Sequence, residues 1–589
     1  MRRGGIVARA TTVAVAGFAL ALGGVVAVVA PAQAADFPDV DSEVELNAAI
    51  AYAVANPSDN AVVSITGDFS LATGIDPLTT GRLVVNGGGH TISSSSVLDG
   101  GFDVSGDGGL EIDELSLDFA DSGSVILAVG TDGDPVASPT IVLSDVDATS
   151  GINDVAFDLT DVAFSAISTT VHDSASGVVG TFSFGTISLL DVSVLDPVDC
   201  GVDLALTGST ILTAEGLTIE RAGCTGLSVV TTDTASATIT DSIFSDNFGG
   251  MVVQNFGTGT IELVDSTISG STGEEQFTAF ALTGLVRVTS STISGGLDTG
   301  FPAISAFVDD GDVVIEHSTV TGNAVSAAPV VDAVGSCGCS GPGSFALDHT
   351  IVAGNPGTGL GAPDLLIESD VPATVNWSLI GDVDPADTTT LAAISAGSGN
   401  RFDASSPIDP DLGALALNGG STPNHLPNAT SPVINAGDPA ISSPPATDQR
   451  DAARISGGII DIGSVEVQFT PTLLLSRVST AVGDQITASG AGLPANTVFT
   501  MVFNSTPVTL GTASSNASGS LSFSFTVPTS VPAGSHSVTA TLAGNVVASA
   551  AITVTGLPAT GLDTAAATLV GALLLLTGAA SVALRRRRS

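Results

Sequence analysis

Between residues 89 and 377 one short pattern returns twelve times, and few folds can accommodate such a repeat. The clearest copies are ATITDSIF (237–244), IELVDSTI (261–268), VRVTSSTI (286–293), VVIEHSTV (313–320) and FALDHTIV (345–352). Each reads apolar, x, apolar, x, turn residue, small polar, x, apolar. With the turn residue as marker, the series runs Gly89, Glu114, Asp145, Ser168, Asp191, Gly216, Asp241, Asp265, Ser290, His317, His349 and Trp377. Most steps are 23 to 27 residues, with 31, 32 and 28 where a loop has grown. Three positions after each marker stands Ile92, Leu117, Ala148, Val171, Val194, Ile219, Phe244, Ile268, Ile293, Val320, Val352 or Ile380, and all are apolar.

Period-two apolar pairs broken by a polar turn describe short strands rather than helices. One such unit cannot bury its inward face, but a stack of them can, each coil serving as floor for the next. The spacing therefore predicts an all-β, right-handed parallel β-helix over residues 61–385. At about 4.8 Å per coil the rod would be roughly 55–60 Å long. Ahead of it, DSEVELNAAIAYAVAN (41–56) reads as an amphipathic helix capped by Ser42 or Asp41, within a unit at 35–60 that covers the first coil's edge. The following VVSITGDFSL and RLVVNGGGHTI resemble the first rungs of pectin-lyase-like β-helix proteins.

Cys200 and Cys224 are one coil length apart, nine and eight residues after their markers, so stacking brings them within disulfide reach. Cys337 and Cys339 share an expanded loop, where a tight local bridge is the alternative to free thiols; a lone C-x-C supplies too few ligands for zinc.

The two ends of the chain explain each other. Residues 1–34 have a basic start, an apolar stretch and a final AQA, the layout of a secretory signal cut between Ala34 and Ala35. Residues 564–584 are uncharged, long enough to cross a bilayer as a helix, and are followed by the stop-transfer residues Arg585, Arg586, Arg587 and Arg588. Alone, that would be a permanent membrane anchor. Immediately upstream, however, stands LPATG: Leu557, Pro558, Ala559, Thr560, Gly561. The 556–589 arrangement resembles the sorting signal of Gram-positive cell-wall proteins. That resemblance implies a sortase as partner, cleavage between Thr560 and Gly561, and Thr560 joined to peptidoglycan. The membrane span is then transient and the location is the outer face of the wall.

Residues 411–439 and 448–466, DLGALALNGGSTPNHLPNATSPVINAGDP and DQRDAARISGGIIDIGSVE, resemble the C-terminal end of secreted β-helix proteins of the choice-of-anchor Q type. The family's DQRG is DQRD here. The resemblance implies a β-helix terminus at 386–468. Arg450 and Arg454 in it are read as ion-pair partners of local acids such as Asp448 and Asp461. Residues 469–555 alternate apolar and polar runs between Gly, Pro and Asn, which predicts an immunoglobulin-like sandwich serving as a stalk.

Charge narrows the partners. Every basic residue is arginine, and between residues 35 and 560 fifty-nine acids face seven of them, a formal charge of −52. Such a surface repels nucleic acid and anionic lipid. The absence of lysine excludes polymerisation into a pilus shaft through a lysine side chain. A single, monomeric surface protein is expected.

Chemistry is harder to find. A lyase of this fold class needs calcium-binding acids and a basic residue; a hydrolase needs paired carboxylates on a groove. The β-helix region offers Trp377, Tyr52 on the capping helix, and arginines scattered as Arg82, Arg221 and Arg287. The pairs Asp145/Asp147, Asp309/Asp310 and Asp382/Asp384 are read as turn residues, whose short side chains bond local backbone. Asp241 and Asp265 share one column on adjacent coils, a spacing that costs about a kcal/mol unscreened. Ca²⁺ would relieve it, and so would solvent exposure with counterions, the reading preferred here. His317 and His349 share that column too, and are read as turn-surface residues rather than zinc ligands; His90 is read as a rung residue. No catalytic residue and no cofactor is assigned. The expected function is display of a β-helix for adhesion or contact with an extracellular glycan or protein. The alternatives are a wall-tethered polysaccharide lyase or glycoside hydrolase, and a purely structural envelope protein.

Overall fold

The structure, a computed structural model, describes residues 34–556 except 95–100, 120–122, 131–137, 298–299, 327, 336–342, 358–362 and 506. The LPATG motif, the apolar run, Arg585 to Arg588, Cys337, Cys339 and the signal segment up to residue 33 lie outside the described residues. Among the described residues no helix is long and apolar enough to cross a membrane.

Three parallel ladders build the rod, each strand pairing with its equivalent one coil away. In the first, Ile187, Leu212, Ala237, Ile261, Val286, Val313 and Phe345 stack in register. In the second, Val194, Ile219, Phe244, Ile268, Ile293, Val320, Val352 and Ile380 do so. In the third, Leu204, Val229, Val253, Ala279, Ala306, Ala333 and Ile367 do so. All three columns face one continuous core.

The twelve marker residues have a common conformation. Each lies in the left-handed region, with φ between 46° at Trp377 and 77° at Gly89. A left-handed residue swings the chain from the first ladder into the second. Asp and Gly tolerate that geometry best, which is why they recur there. All twelve apolar residues three positions later are 0% exposed. A second left-handed column follows five positions after eight of the markers, at Asp173, Asp196, Arg221, Asp246, Gly270, Gly295, Gly322 and Gly354. It makes the next bend, towards the third ladder.

Between marker and second ladder the small polar residue has its own task. In Ser242, Ser266, Ser291, Ser318, Thr350 and Ser378 the hydroxyl donates to the carbonyl two residues back, at 2.7 to 2.9 Å. It also accepts the equivalent amide of the previous coil, as Ser291 does from Ser266 at 3.2 Å. The buried turn amides that the ladders leave unpaired are satisfied in this way. Of the earlier coils, four place buried Leu115, Val146, Val192 and Leu217 at this position, while Thr169 makes the same bond to Ile167 O at 3.1 Å.

Both ends of the stack are covered. Helix Glu43–Ala55 buries Leu46, Ala49, Ile50 and Ala53, and strand Ala35–Val40 pairs with Asn60–Ile65. Ser42 is the N-cap residue, but its hydroxyl donates to Glu45 Oε2 at 2.7 Å instead of capping a backbone amide. Helix Thr388–Ala396 covers the last coil. Its Thr390 hydroxyl accepts from Ile367 N at 2.9 Å, and Asn400 donates to Val375 O at 2.6 Å. Cys200 and Cys224 form a disulfide between adjacent coils, with Cα atoms 4.8 Å apart. Beyond residue 470, a three-stranded and a five-stranded sheet enclose a core of Ile486, Phe499, Met501, Phe503, Val538 and Ile552.

Candidate functional site

Residues 411–466 do not end the rod; they run along its side as a strap. Ser421 to His425 lie lengthwise across successive coils. Ser421 Oγ donates to Asp241, Thr422 Oγ1 donates to Asp265 O at 2.8 Å, and His425 Nε2 contacts Ser294 Oγ at 2.8 Å. Thr267 donates to Pro423 O at 2.5 Å, and Thr292 to Gln449 Oε1 at 2.6 Å. Ser464 N donates to Thr319 Oγ1 at 3.0 Å. The outward hydroxyls of the second ladder, Thr267, Thr292, Ser294 and Thr319, are thereby buried.

Where the strap meets the rod is a cluster of buried charge. Asp448 accepts from Arg450 Nη2 at 2.7 Å, the expected ion pair, and also from the amides of Ala452 and Glu466. Arg454, 1% exposed, makes no ion pair within 4 Å among the described residues, contrary to expectation. Its Nη2 donates to Gly463 O at 2.5 Å and to His317 Nδ1 at 3.2 Å, while Nε and Nη1 have no partner. Burial pulls the guanidinium below its ordinary value against the field of Glu466, Asp461, Asp448 and Asp265. Burial, then Asp461, pushes Glu466 up to about 9. Burial pushes Asp461 up to about 7, and burial with Asp241 pushes Asp265 up to about 7.

Two further expectations differ from the structure. His317 and His349 are not turn-surface residues: they are 5% and 2% exposed under the strap, their rings 4.8 Å apart. Burial, then Arg454 and His349, pushes His317 down to about 2, so it stays neutral. His349 Nε2 accepts from Asp438 N at 2.9 Å, which leaves Nδ1 to donate to Asp348 at 2.8 Å. Asp241 and Asp265 are half-buried rather than fully exposed, with Ser421 and Thr422 of the strap bonded to them. Among the described residues no group of three His, Cys, Asp or Glu is placed to hold a metal ion.

The first half of the same face is open. There His172 stands four positions after its marker, with Nε2 2.9 Å from Asp147 Oδ1 and Nδ1 3.1 Å from Asp173 Oδ2. Burial pulls the imidazole down, but the two carboxylates outweigh it and hold its pKa above the ordinary value. With Asp145, Ser168 and Thr170 it lines a shallow hollow of about 380 Å³. An imidazole between carboxylates is able to donate and accept protons. Its signal in the sequence was VHDS one coil after Asp147, which only a register of stacked coils brings together. His90 contacts Asp68 at 3.1 Å on the first coils. Arg82, Arg221 and Arg287 are tied to Glu111, Asp196 and Glu316. Trp377 is half-buried, 6.3 Å from His349, and offers no open platform.

Neither a family model nor a curated protein matches the sequence. Among solved structures the chain is similar to the A-module of Azotobacter vinelandii mannuronan C-5 epimerase AlgE4, 15% identical over 58% of this chain and 96% of that one, with a TM-score of 0.38. It is similar also to the periplasmic alginate epimerase AlgG, at 11% identity, 54% and 76% coverage and a TM-score of 0.34. Pectate lyase Pel9A is 12% identical, covering 74% and 96%, with a TM-score of 0.33. The likeness is one of fold, a parallel β-helix, and chemistry has to be argued from this chain's own residues.

Proposed function

We propose that this chain is a secreted surface protein that a sortase cuts between Thr560 and Gly561 and joins through Thr560 to peptidoglycan. The β-helix is then a monomeric rod presented to an extracellular ligand, with the two-sheet unit at 469–555, read as immunoglobulin-like, as its spacer. The observation that carries this reading is the ordered set of LPATG, an uncharged run at 564–584 and four arginines, in a chain that also begins with a signal-like segment. The formal charge of −52 between residues 35 and 560 supports it, since such a body is repelled by anionic membranes and nucleic acid. The full chain is to be expressed in a Gram-positive host that has a sortase, and the wall digested with a muralytic enzyme. Wild type is expected in the wall fraction and Thr560→Ala in the membrane fraction. Equal partition of the two overturns the reading.

One observation favours a second reading, a wall-tethered polysaccharide lyase or hydrolase: His172 stands between Asp147 and Asp173 in an open hollow. Incubation with neutral and acidic polysaccharides, with and without Ca²⁺, tests it. Unsaturated or reducing ends that vanish in His172→Ala would establish it, and an inert chain across the panel would remove it.

A further inference from the structure

The strap shows what the second ladder's outward face accepts: an extended polypeptide laid along the rod. Ser421, Thr422 and His425 each meet a successive coil, bonding to a turn residue or to an outward hydroxyl. The same two columns continue into the uncovered coils. There the outward positions are Thr91, Ser116, Asp147, Thr170, Ser193 and Thr218, and beyond Ile243 the same register reaches Thr267 and Thr292. What changes is the charge. The strap half has small hydroxyls beside its turn residues; the open half adds carboxylates.

We propose that the open half of this face, centred on Glu114, Asp145, Asp147, Asp173 and Asp191, is a docking site for an extended basic polypeptide segment of another protein. Continuity with the strap interface gives the geometry, and charge complementarity gives the sign. From Gly89 to Gly216 the open columns span five coil steps, roughly 24 Å, enough for about seven extended residues. The turn of the strap at Ser421, seated on Asp241, closes the far end. Carboxylates, hydroxyls and the imidazoles of His90 and His172 line the face, and Arg221, tied to Asp196 and Glu220, stands at its far end. The ladder positions contribute no aromatic ring on which a sugar could stack. The proposal names the partner in the surface-contact reading above and rests on that reading for its extracellular setting.

The test uses the full chain in a mild non-ionic detergent and a fluorescent peptide of about eight residues alternating lysine and serine. Binding is followed by anisotropy at several salt concentrations. The triple variant Asp145→Asn, Asp147→Asn, Asp173→Asn is expected to weaken binding by about ten-fold or more. The control triple Asp103→Asn, Asp158→Asn, Asp203→Asn removes the same charge from the third ladder and is expected to stay within about two-fold of wild type. Equal loss in both triples would reveal mere polycation attraction and overturn the site. Absence of binding, or displacement of the peptide by a neutral hexasaccharide, overturns it as well. A chain that binds the peptide but is not joined to the wall keeps this site and loses the anchoring proposal; a wall-joined chain that ignores the peptide does the reverse.

Discussion

Arg454 Nη2 donates to His317 Nδ1 across 3.2 Å, joining two buried residues 137 positions apart and fixing the strap to the rod. The bond requires a neutral imidazole, because a protonated one has no lone pair to accept it. The guanidinium is also buried in the field of Glu466, Asp461, Asp448 and Asp265, so this pair governs how the strap responds to mutation and to pH.

Replacing Arg454 by Leu removes its hydrogen bonds to Gly463 O and His317 Nδ1 and takes a buried positive field away from Glu466 and Asp461, while Asp448 keeps its pair with Arg450. Leaving buried hydrogen-bonding groups unsatisfied costs about 1–3 kcal/mol. Urea unfolding and limited proteolysis check this. The midpoint is expected to fall and cleavage within 411–467 to accelerate, and an unchanged digestion pattern would refute the role given to Arg454.

The pH profile follows from the shifts. His317 is lowered from 6.5 to about 2, so the unfolded chain takes up the proton that the folded one refuses. Stability from this group is present above 6.5 and is lost as pH falls below it. Asp265 is raised from 3.8 to about 7 and Glu466 from 4.5 to about 9. Their contributions are present below the unfolded values and are lost between 3.8 and about 7 for Asp265 and between 4.5 and about 9 for Glu466. In denaturation across pH 4–10, Asp265→Asn is expected to remove a loss of stability below pH 7 and Glu466→Gln one that continues to about 9, while His317→Gln removes the opposing gain between pH 4 and 6.5. A profile insensitive to all three changes contradicts the assignment.

Ser291→Ala removes a hydroxyl that donates to Thr289 O at 2.9 Å and accepts from Ser266 N at 3.2 Å. An orphaned buried amide costs about 1–3 kcal/mol. Ser291→Thr should be tolerated, because Thr350 fills the same column one coil beyond Ser318. Comparison of melting curves for the two variants separates the hydrogen bond from simple packing.

Asp191 is exposed and has a φ of 52°. Asp191→Val forces a β-branched side chain into the left-handed region and should cost about 1–2 kcal/mol, while Asp191→Gly should be close to neutral. Equal denaturation midpoints for the two would mean that the turn does not depend on this conformation.

The rod was legible in the sequence because its signal repeats. A marker and a buried apolar residue three places later recur at nearly fixed spacing, and from Gly89 to Trp377 every marker takes the same backbone conformation. The second bend was missed because Asp173, Arg221 and Gly270 share a conformation but no side-chain chemistry. The strap's position along the side was illegible for a related reason. Its contacts, such as Gln449 on Thr292 and Ser464 on Thr319, match hydroxyl to amide across 157 and 145 residues and leave no period. Read as a terminus, residues 411–466 would leave His317 and His349 exposed. The cluster at His172 was hidden because neither VHDS nor the distant Asp147 is notable alone.

The strap also decides how the molecule carries load. Residues 463–466 are bonded alongside the coils at Thr319 and His349 rather than end to end with the last strand, and the two-sheet unit follows directly. A pull on that unit therefore acts lengthwise on many short bonds at once, in shear, instead of peeling the final coil from its neighbour. Tension enters the rod at the coils of Thr319 and His349, short of its last edge.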